Sequence, residues 1–263
     1  MLTDIHCHIL PGIDDGSKEL EQSLAMARIA IDDGIDTIFA TPHHFNGVYS
    51  NPRQAVLDQV DRLREALARE GIWVRILPGA ENHIVPELPD ALADGTTLTM
   101  GDFGRAALVE LPVHTVPAST EQILERILQQ DIVPIIAHPE RNTYLRRHPE
   151  RLRRMIELGC LAQVTAQSCT GLFGPQVRAA SRHMINSGLI HFVASDAHRD
   201  RRRIPEITPA LEQVTEWTNR QVAELIGKEF PAALARGDVP DPQALAAVQE
   251  APRSRPWWQR WFS

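Results

Sequence analysis

The 263-residue sequence predicts an α/β fold, a distorted (βα)7 barrel of parallel strands. Two observations carry that prediction. Short β-rich apolar runs alternate with amphipathic helical stretches over residues 1–230, and histidines and acidic residues recur where those runs end. No repeat and no linker divides this stretch, so residues 1–230 read as one domain and 231–263 as a separate tail rich in Pro, Arg and Trp.

The first run is Leu2–His6. A helix follows with Leu20, Leu24, Ala27 and Ile31 at helical spacing, stopped by Gly34. The strand "DTIFA" leads through "TPHHFNGVYSNP" to a second helix starting at Asn51, with Pro52 at its first position and Gln54 placed for a capping box. Its apolar stripe is Val56, Val60, Leu63 and Leu67. Strand "WVRIL", a short helix near "PDALADG", strand "AALVEL", a helix from Ser119 and strand "IVPIIA" continue the alternation. A helix through "ERLRRMIELG", strand "LAQVT", a helix from Pro175 and strand "HFVAS" complete it.

Composition bounds the function. Hydrophobic residues make up 43% and charged residues 23%, as in ordinary globular enzymes. A net charge of −7 argues against a nucleic-acid surface. The chain shows no targeting stretch, so a cytoplasmic protein is expected. Cys7, Cys160 and Cys169 form no C-x-x-C pair and suit a reducing compartment. The residues six places after them are Ile13, Ala166 and Pro175, so none of the three opens a C-x5-R nucleophile motif.

Position is more informative. His6 and His8 close the first strand, His43 and His44 follow the second, and Glu81 follows the third. Glu110 lies in the fourth, His138 follows the fifth, and Asp196 and His198 follow the last. In a parallel barrel these strand ends share one face, and so many ionisable groups there call for cations. Strand period puts Asp4, His6 and His8 on one side, with Cys7 on the other. Imidazole and carboxylate ligands without thiolate suit Mn²⁺, Fe²⁺ or Zn²⁺. A carboxylate such as Glu81 can bridge two ions and so help to generate a hydroxide nucleophile. Arg141, three residues after His138, and the run Arg199, Arg201, Arg202 and Arg203 supply guanidinium for a phosphoryl group. A metal-assisted phosphoester hydrolase follows from these residues. Asp14 and Asp15 remain equally eligible as a ligand on this reading. Asp4 would orient an imidazole or bond a loop amide, and His44 would sit behind the ligands or touch phosphate. His83, His114, His148, His183 and His191 read as solvent-facing or packing residues, and the glycines Gly12, Gly16, Gly79 and Gly171 as turn residues.

"DIHCHILPGIDDG", "TPHH", "PGAEN", "HPER", "LGCLAQVTAQSCTG" and "SDAH", in that order over residues 1–205, resemble the polymerase-and-histidinol-phosphatase (PHP) superfamily. Within it they are similar to the bacterial protein-tyrosine phosphatases of capsule and exopolysaccharide clusters, the CpsB/CapC type. The resemblance implies the PHP fold, a TIM-like barrel with a metal site at the C-terminal strand ends. It implies up to three divalent ions, manganese foremost. His6 and His8 would share one ion with Glu81 and Asp196, and Glu81 would bridge to a second held by Glu110 and His138. Asp15, chosen over Asp14 by family spacing, would hold the third with His43 and His198. Arg141 and Arg203 match the phosphate-binding arginines, although "RIP" replaces the usual "RPP" and leaves Arg201 or Arg202 as substitutes. His43 or a metal-bound water would protonate the leaving group.

The implied substrate is phosphotyrosine on the cytoplasmic tail of a membrane tyrosine kinase that regulates polysaccharide synthesis. Histidinol phosphate, a nucleic-acid phosphodiester and a non-catalytic metal-loaded scaffold are the alternatives. The tail "PRSRPWWQRWFS" places Trp257, Trp258 and Trp261 among Arg253, Arg255 and Arg260. Its rings either pack back on the protein or anchor it at the inner face of the membrane.

Overall fold

The computed structural model describes residues 1–250. The expected tryptophan tail lies outside them. Strand β1 (Leu2–Cys7) leads to helix α1 (Leu20–Asp32), whose buried face is Ser23, Leu24, Met26, Ala27 and Ala30. Ile31, expected on that stripe, is exposed. Next come β2 (Ile35–Ala40), the two-residue β3 (His43–His44) and α2 (Arg53–Arg69), which buries the expected Val56, Val60, Leu63 and Leu67. The capping box does not form. Gln54 bonds Asp58 instead, and the Asn51 side chain donates to the carbonyls of Ile13 (3.1 Å) and His43 (2.8 Å). Asn51 therefore ties the loop after β1 to β3.

Strand β4 (Arg75–Pro78) starts beyond Trp73, which is exposed, and β5 (Glu81–His83) follows after two residues. Then come α3 (Leu88–Ala93), β6 (Ala106–Glu110), α4 (Thr120–Leu128) and β7 (Val133–Ala137). Helices α5 (Thr143–Arg147) and α6 (Pro149–Glu157) lead to β8 (Leu161–Thr165), α7 (Ala166–Thr170), α8 (Pro175–Asn186) and β9 (Phe192–Ala194). Helices α9 (Thr208–Trp217), α10 (Arg220–Glu224), α11 (Phe230–Leu234) and α12 (Pro242–Glu250) close the described chain. Phe230, Leu234, Ala235 and Leu245, on both sides of the boundary expected at residue 230, join one core.

All strand pairing among the described residues is parallel. β1–β2–β4 form one sheet and β3–β5–β6–β7–β8–β9 a second. Only Thr41 and Pro42 separate β2 from β3, and only Gly79 and Ala80 separate β4 from β5, so two runs each cross from one sheet to the other. Proline cannot donate to a ladder, which accounts for the break at Pro42. Its carbonyl still accepts the Glu81 N–H at 3.0 Å. The last strand returns beside the first through a single parallel bridge, Cys7 to Ala197. The His8 N–H donates to the Ala197 carbonyl and the Asp196 N–H to the His6 carbonyl, each at 2.8 Å. All nine strands of the described residues therefore run in one direction, and their C-terminal ends carry the polar residues.

His191, just before β9, is buried, which is the packing alternative of the two expected, and its Nδ1 accepts the Ala162 N–H at 3.2 Å. Burial pushes its pKa down to about 4 from an ordinary 6.5. Between those values the unfolded chain binds the extra proton, so stability present above pH 6.5 is lost as pH falls towards 4. The loss amounts to about 3 kcal/mol. His191→Asn keeps an acceptor in place of Nδ1. Denaturant titrations at several pH values should show the variant losing less stability than the wild type over this window; parallel curves would refute it.

Candidate metal centre

Strand ends deliver the expected residues to one place. His6 lies on β1 with His8 just beyond it, and Asp14 and Asp15 return on the following loop. That return needs Gly16, because a Cβ there would sit 2.2 Å from the His8 carbonyl oxygen and 2.4 Å from the His8 Cβ. His43 comes from β3, Glu81 from β5, Glu110 from the end of β6 and His138 from beyond β7. Asp196 and His198 follow β9.

Three groups of potential ligand atoms each lie within 4.8 Å of one another: His8, Asp15, His43 and His198; His6, His8 and Glu81; and His43, Glu81 and Glu110. Asp196 Oδ1 lies 3.5 Å from Nε2 of both His6 and His8. His138 Nε2 lies 2.7 Å from Glu81 Oε1 and 3.8 Å from Glu110 Oε1. Asp15 Oδ1 lies 3.4 Å from Nε2 of both His43 and His198. All nine expected ligand residues are thus brought together, with His8, His43 and Glu81 each belonging to two groups.

Hydrogen bonding behind the ligands assigns their tautomers. His6 Nδ1 donates to Gln163 Oε1 at 3.1 Å, and the His138 N–H donates to the same oxygen. His8 Nδ1 donates to Asp14 Oδ2 at 2.7 Å. In the neutral imidazoles both Nε2 atoms then carry lone pairs, and they face each other at 3.2 Å. His198 repeats the device, with Nδ1 donating to the Asp196 carbonyl at 3.0 Å. Glu81 Oε2 and His43 Nδ1 are buried without a hydrogen-bond partner. Converging lone pairs and a buried carboxylate oxygen favour a cation among them, so the donor set fits divalent metal.

The electrostatics agree. Burial disfavours the charged forms of His6 and His8, yet neighbouring carboxylates outweigh it and hold both above the usual histidine range. His43 is raised to about 10, with Glu81 and Asp15 overcoming burial. Burial would raise Glu81, but His6 and His43 hold it well below the usual carboxylate range. His198 is pushed down to about 4 by burial and by His8.

Asp14 and Asp15 separate cleanly. Asp14 accepts from His8 Nδ1, from the Gly16 N–H (2.8 Å) and from the His43 N–H (3.2 Å), while Asp15 faces His43 and His198. Asp14→Asn is therefore expected to weaken metal binding about 10- to 100-fold through misorientation of His8. Competition against a chelating dye measures this; unchanged affinity would remove Asp14 from the site.

Arg141 and Arg203 come from separate loops and meet on Asp196 Oδ2, Arg203 at 2.7 Å and Arg141 in a short contact. Burial would raise Asp196, but the two guanidinium groups hold it well below the usual range. Neither Arg201 nor Arg202 makes this contact among the described residues. Arg199 instead donates to the carbonyls of Asp15 and Gly16 and pins that loop. His138 (φ 31°), Asp196 (φ 49°) and Arg203 (φ 55°) all have positive φ, a costly conformation held only where surroundings impose it.

Other expectations resolve differently. Asp4 binds backbone and hydroxyl, accepting from the N–H groups of His6 and Ser195 and from the Ser195 Oγ, and bonds no imidazole nitrogen among the described residues. His44 Nδ1 accepts the Asn51 N–H, which turns that atom away from the ligands. His83, read as a packing or solvent residue, has Nδ1 3.3 Å from Glu110 Oε2. It stands two residues after Glu81 on the same strand face, the signal that also paired His6 with His8. Gln163 was missed as well; its sign was an amide inside the apolar run "LAQVT". Glu140 of "HPER" is buried and accepts from the Thr165 N–H and the Ser168 hydroxyl, bracing the loop that carries Arg141.

Parallel strands ending in a cluster of imidazole and carboxylate groups, with two arginines alongside, define a candidate metal-dependent hydrolase site on an α/β fold. The sequence description "Capsular polysaccharide synthesis, CpsB/CapC" matches residues 2–236. Tyrosine-protein phosphatase YwqE of Bacillus subtilis (strain 168) is 43% identical over 202 residues, 77% of this chain and 79% of its own. Tyrosine-protein phosphatase CpsB of Streptococcus pneumoniae is 30% identical over 216 residues, 80% of this chain and 88% of its own. A crystal structure from work on those two proteins, described as unique metal-dependent tyrosine phosphatases, superposes with a TM-score of 0.87 at 39% identity. It covers 90% of this chain and 95% of the other. A β-aspartyl dipeptidase of Fervidobacterium islandicum, at 12% identity and a TM-score of 0.52, shares the fold alone. The chain belongs to the CpsB/CapC family.

Proposed function

We propose that this chain is a metal-dependent protein-tyrosine phosphatase. The observation that carries the reading is the pair of guanidinium groups, Arg141 and Arg203, meeting on Asp196 beside the imidazole–carboxylate groups. His6, His8, Glu81 and Asp196 would hold one ion, Glu81, Glu110 and His138 a second, and Asp15, His43 and His198 a third. His8 and His43 lie close enough to be shared. Manganese is the ion proposed, on the family resemblance; the nitrogen and carboxylate donors suit Fe²⁺ or Zn²⁺ as well. Bound divalent ions would supply Lewis acidity and lower the pKa of coordinated water. Arg141 and Arg203 would grip the non-bridging phosphoryl oxygens as bidentate donors. Both ring nitrogens of His43 face carboxylates, Nδ1 towards Glu81 at 2.9 Å and Nε2 towards Asp15 at 3.4 Å. His43 is therefore assigned to the metal centre rather than to protonation of the leaving group. A tyrosine phenol, with a pKa near ~10, departs with little acid assistance.

The proposed partner is a phosphotyrosine-bearing protein, the cytoplasmic tail of a membrane tyrosine kinase, supported by the family's description in capsular polysaccharide synthesis. No helix among the described residues is long and apolar enough to cross a membrane. The proposed contact with the inner membrane face rests on Trp257, Trp258 and Trp261, outside those residues.

A phosphotyrosine peptide assayed with manganese and then with chelator tests the activity. Turnover is expected with the metal and is expected to disappear on chelation. Iodoacetamide should leave it intact, because Cys7, Cys160 and Cys169 are all buried and burial pushes their thiols up, Cys160 to about 12. Turnover that survives chelation, or that alkylation removes, would overturn the reading.

A further inference from the structure

Beside the metal centre lies a cavity of about 290 Å³ whose wall includes His138 and Arg141. The rest of that wall is largely apolar, with Leu111, Val113, Phe173 and Val177 its larger aliphatic and aromatic members. Val113 is 54% exposed, a bare aliphatic side chain at the surface of an acidic protein. The ring of Phe173 also lies under both clamp arginines, 4.9 Å from the Arg141 guanidinium carbon and 5.8 Å from that of Arg203. One partly buried aromatic residue therefore forms both a platform for the phosphate clamp and a wall of the adjoining slot.

The slot is built rather than incidental. Asn142 donates to the carbonyls of Pro112 (2.7 Å) and Thr115 (2.9 Å) and accepts from the N–H groups of Tyr144 and Leu145. The Thr143 N–H donates to the Val113 carbonyl at 2.9 Å. These bonds fasten the loop carrying Leu111 and Val113 to the segment carrying Arg141. Arg146, the other cation of the wall, donates to the carbonyls of Glu140 and Arg141. Much of the polar lining is thus engaged within the protein, which leaves apolar surface for a guest.

We infer that this slot is an aryl-binding subsite, in which Phe173, Val113, Leu111 and Val177 receive the aromatic ring of the phosphate ester while Arg141 holds its phosphoryl group. The inference rests on the phosphatase reading, because it needs a phosphoryl group at Arg141. It adds that discrimination for aryl over alkyl esters resides in the α7–α8 loop and the loop after β6. Phe173 acts as a positioning residue for the arginines and as a specificity determinant for the ring.

Calorimetric titration of the manganese-loaded full chain with phenylphosphonate and methylphosphonate tests it without turnover. The wild type is expected to bind the phenyl compound at least about tenfold more tightly. Phe173→Ala should weaken both compounds, because it loosens the clamp, and should bring the ratio down to about threefold or less. Val113→Ser, at an exposed position, should lower the ratio while leaving methylphosphonate affinity unchanged. Equal affinities in the wild type would overturn the subsite. So would a ratio that both variants preserve, since Phe173 would then be only a platform. Turnover of a phosphotyrosine peptide, followed in the same preparations, separates the two readings: binding discrimination without any turnover would sink the phosphatase and leave the aryl slot standing.

Discussion

Glu81→Gln is expected to lower phosphotyrosine turnover by on the order of 10³ or more and to remove bound metal from the chain. Glu81 belongs to two of the three ligand groupings. Its Oε2 lies 2.9 Å from His43 Nδ1, 3.3 Å from His8 Nε2 and 3.4 Å from His6 Nε2, and its Oε1 lies 2.7 Å from His138 Nε2. Glutamine keeps the shape but cancels the charge, and it turns an N–H2 donor towards nitrogens that must offer lone pairs to metal. The centre then loses a shared anion together with the charge stabilisation the ions provide. That stabilisation is worth several kcal/mol, at tenfold in rate for each ~1.4 kcal/mol. Elemental analysis should find fewer ions per chain than in the wild type, and added manganese should raise the melting temperature of the variant less. A variant that retained both metal content and turnover would show that Glu81 is not the shared ligand.

Much of this site was legible in the sequence because its signals are local. H-x-H at the end of a strand places His6 and His8 on one side by strand period alone, and "SDAH" does the same for Asp196 and His198. Convergence of those local signals then follows from parallel strands in chain order. What escaped was short or remote. β3 and β5 contain two and three residues, too few for any periodicity, so the crossing of two runs between sheets could not be read. Gln163 reaches His6 across 157 positions, and Phe173 meets Arg141 and Arg203 from a third loop. Gly16 looked like a turn residue. Its requirement is steric, set by the His8 carbonyl and Cβ packed against it. The mistaken capping box at Asn51 has the same origin: the side chain has better partners in tertiary structure, the Ile13 and His43 carbonyls, than its own helix offers.

The second large effect is expected at the arginines. Arg141→Ala should lower kcat/KM for a phosphotyrosine peptide about 10²- to 10³-fold while leaving the number of bound ions unchanged. Arg141→Lys should recover little of that loss, because a single ammonium offers neither the fork nor the planar face that rests on Phe173. Arg203→Ala should behave alike, since Arg203 shares both the Asp196 oxygen and the aromatic platform. Shared partners make the two arginines one device. Removing either should release the other from its fixed direction, so the double variant should lose less than the product of the single losses. Steady-state kinetics on the four proteins of this cycle, with metal content measured in each, decide the matter. Fully multiplicative losses would mean two independent phosphate contacts, and a loss of metal with either arginine would mean that Asp196 depends on them for its place among the ligands.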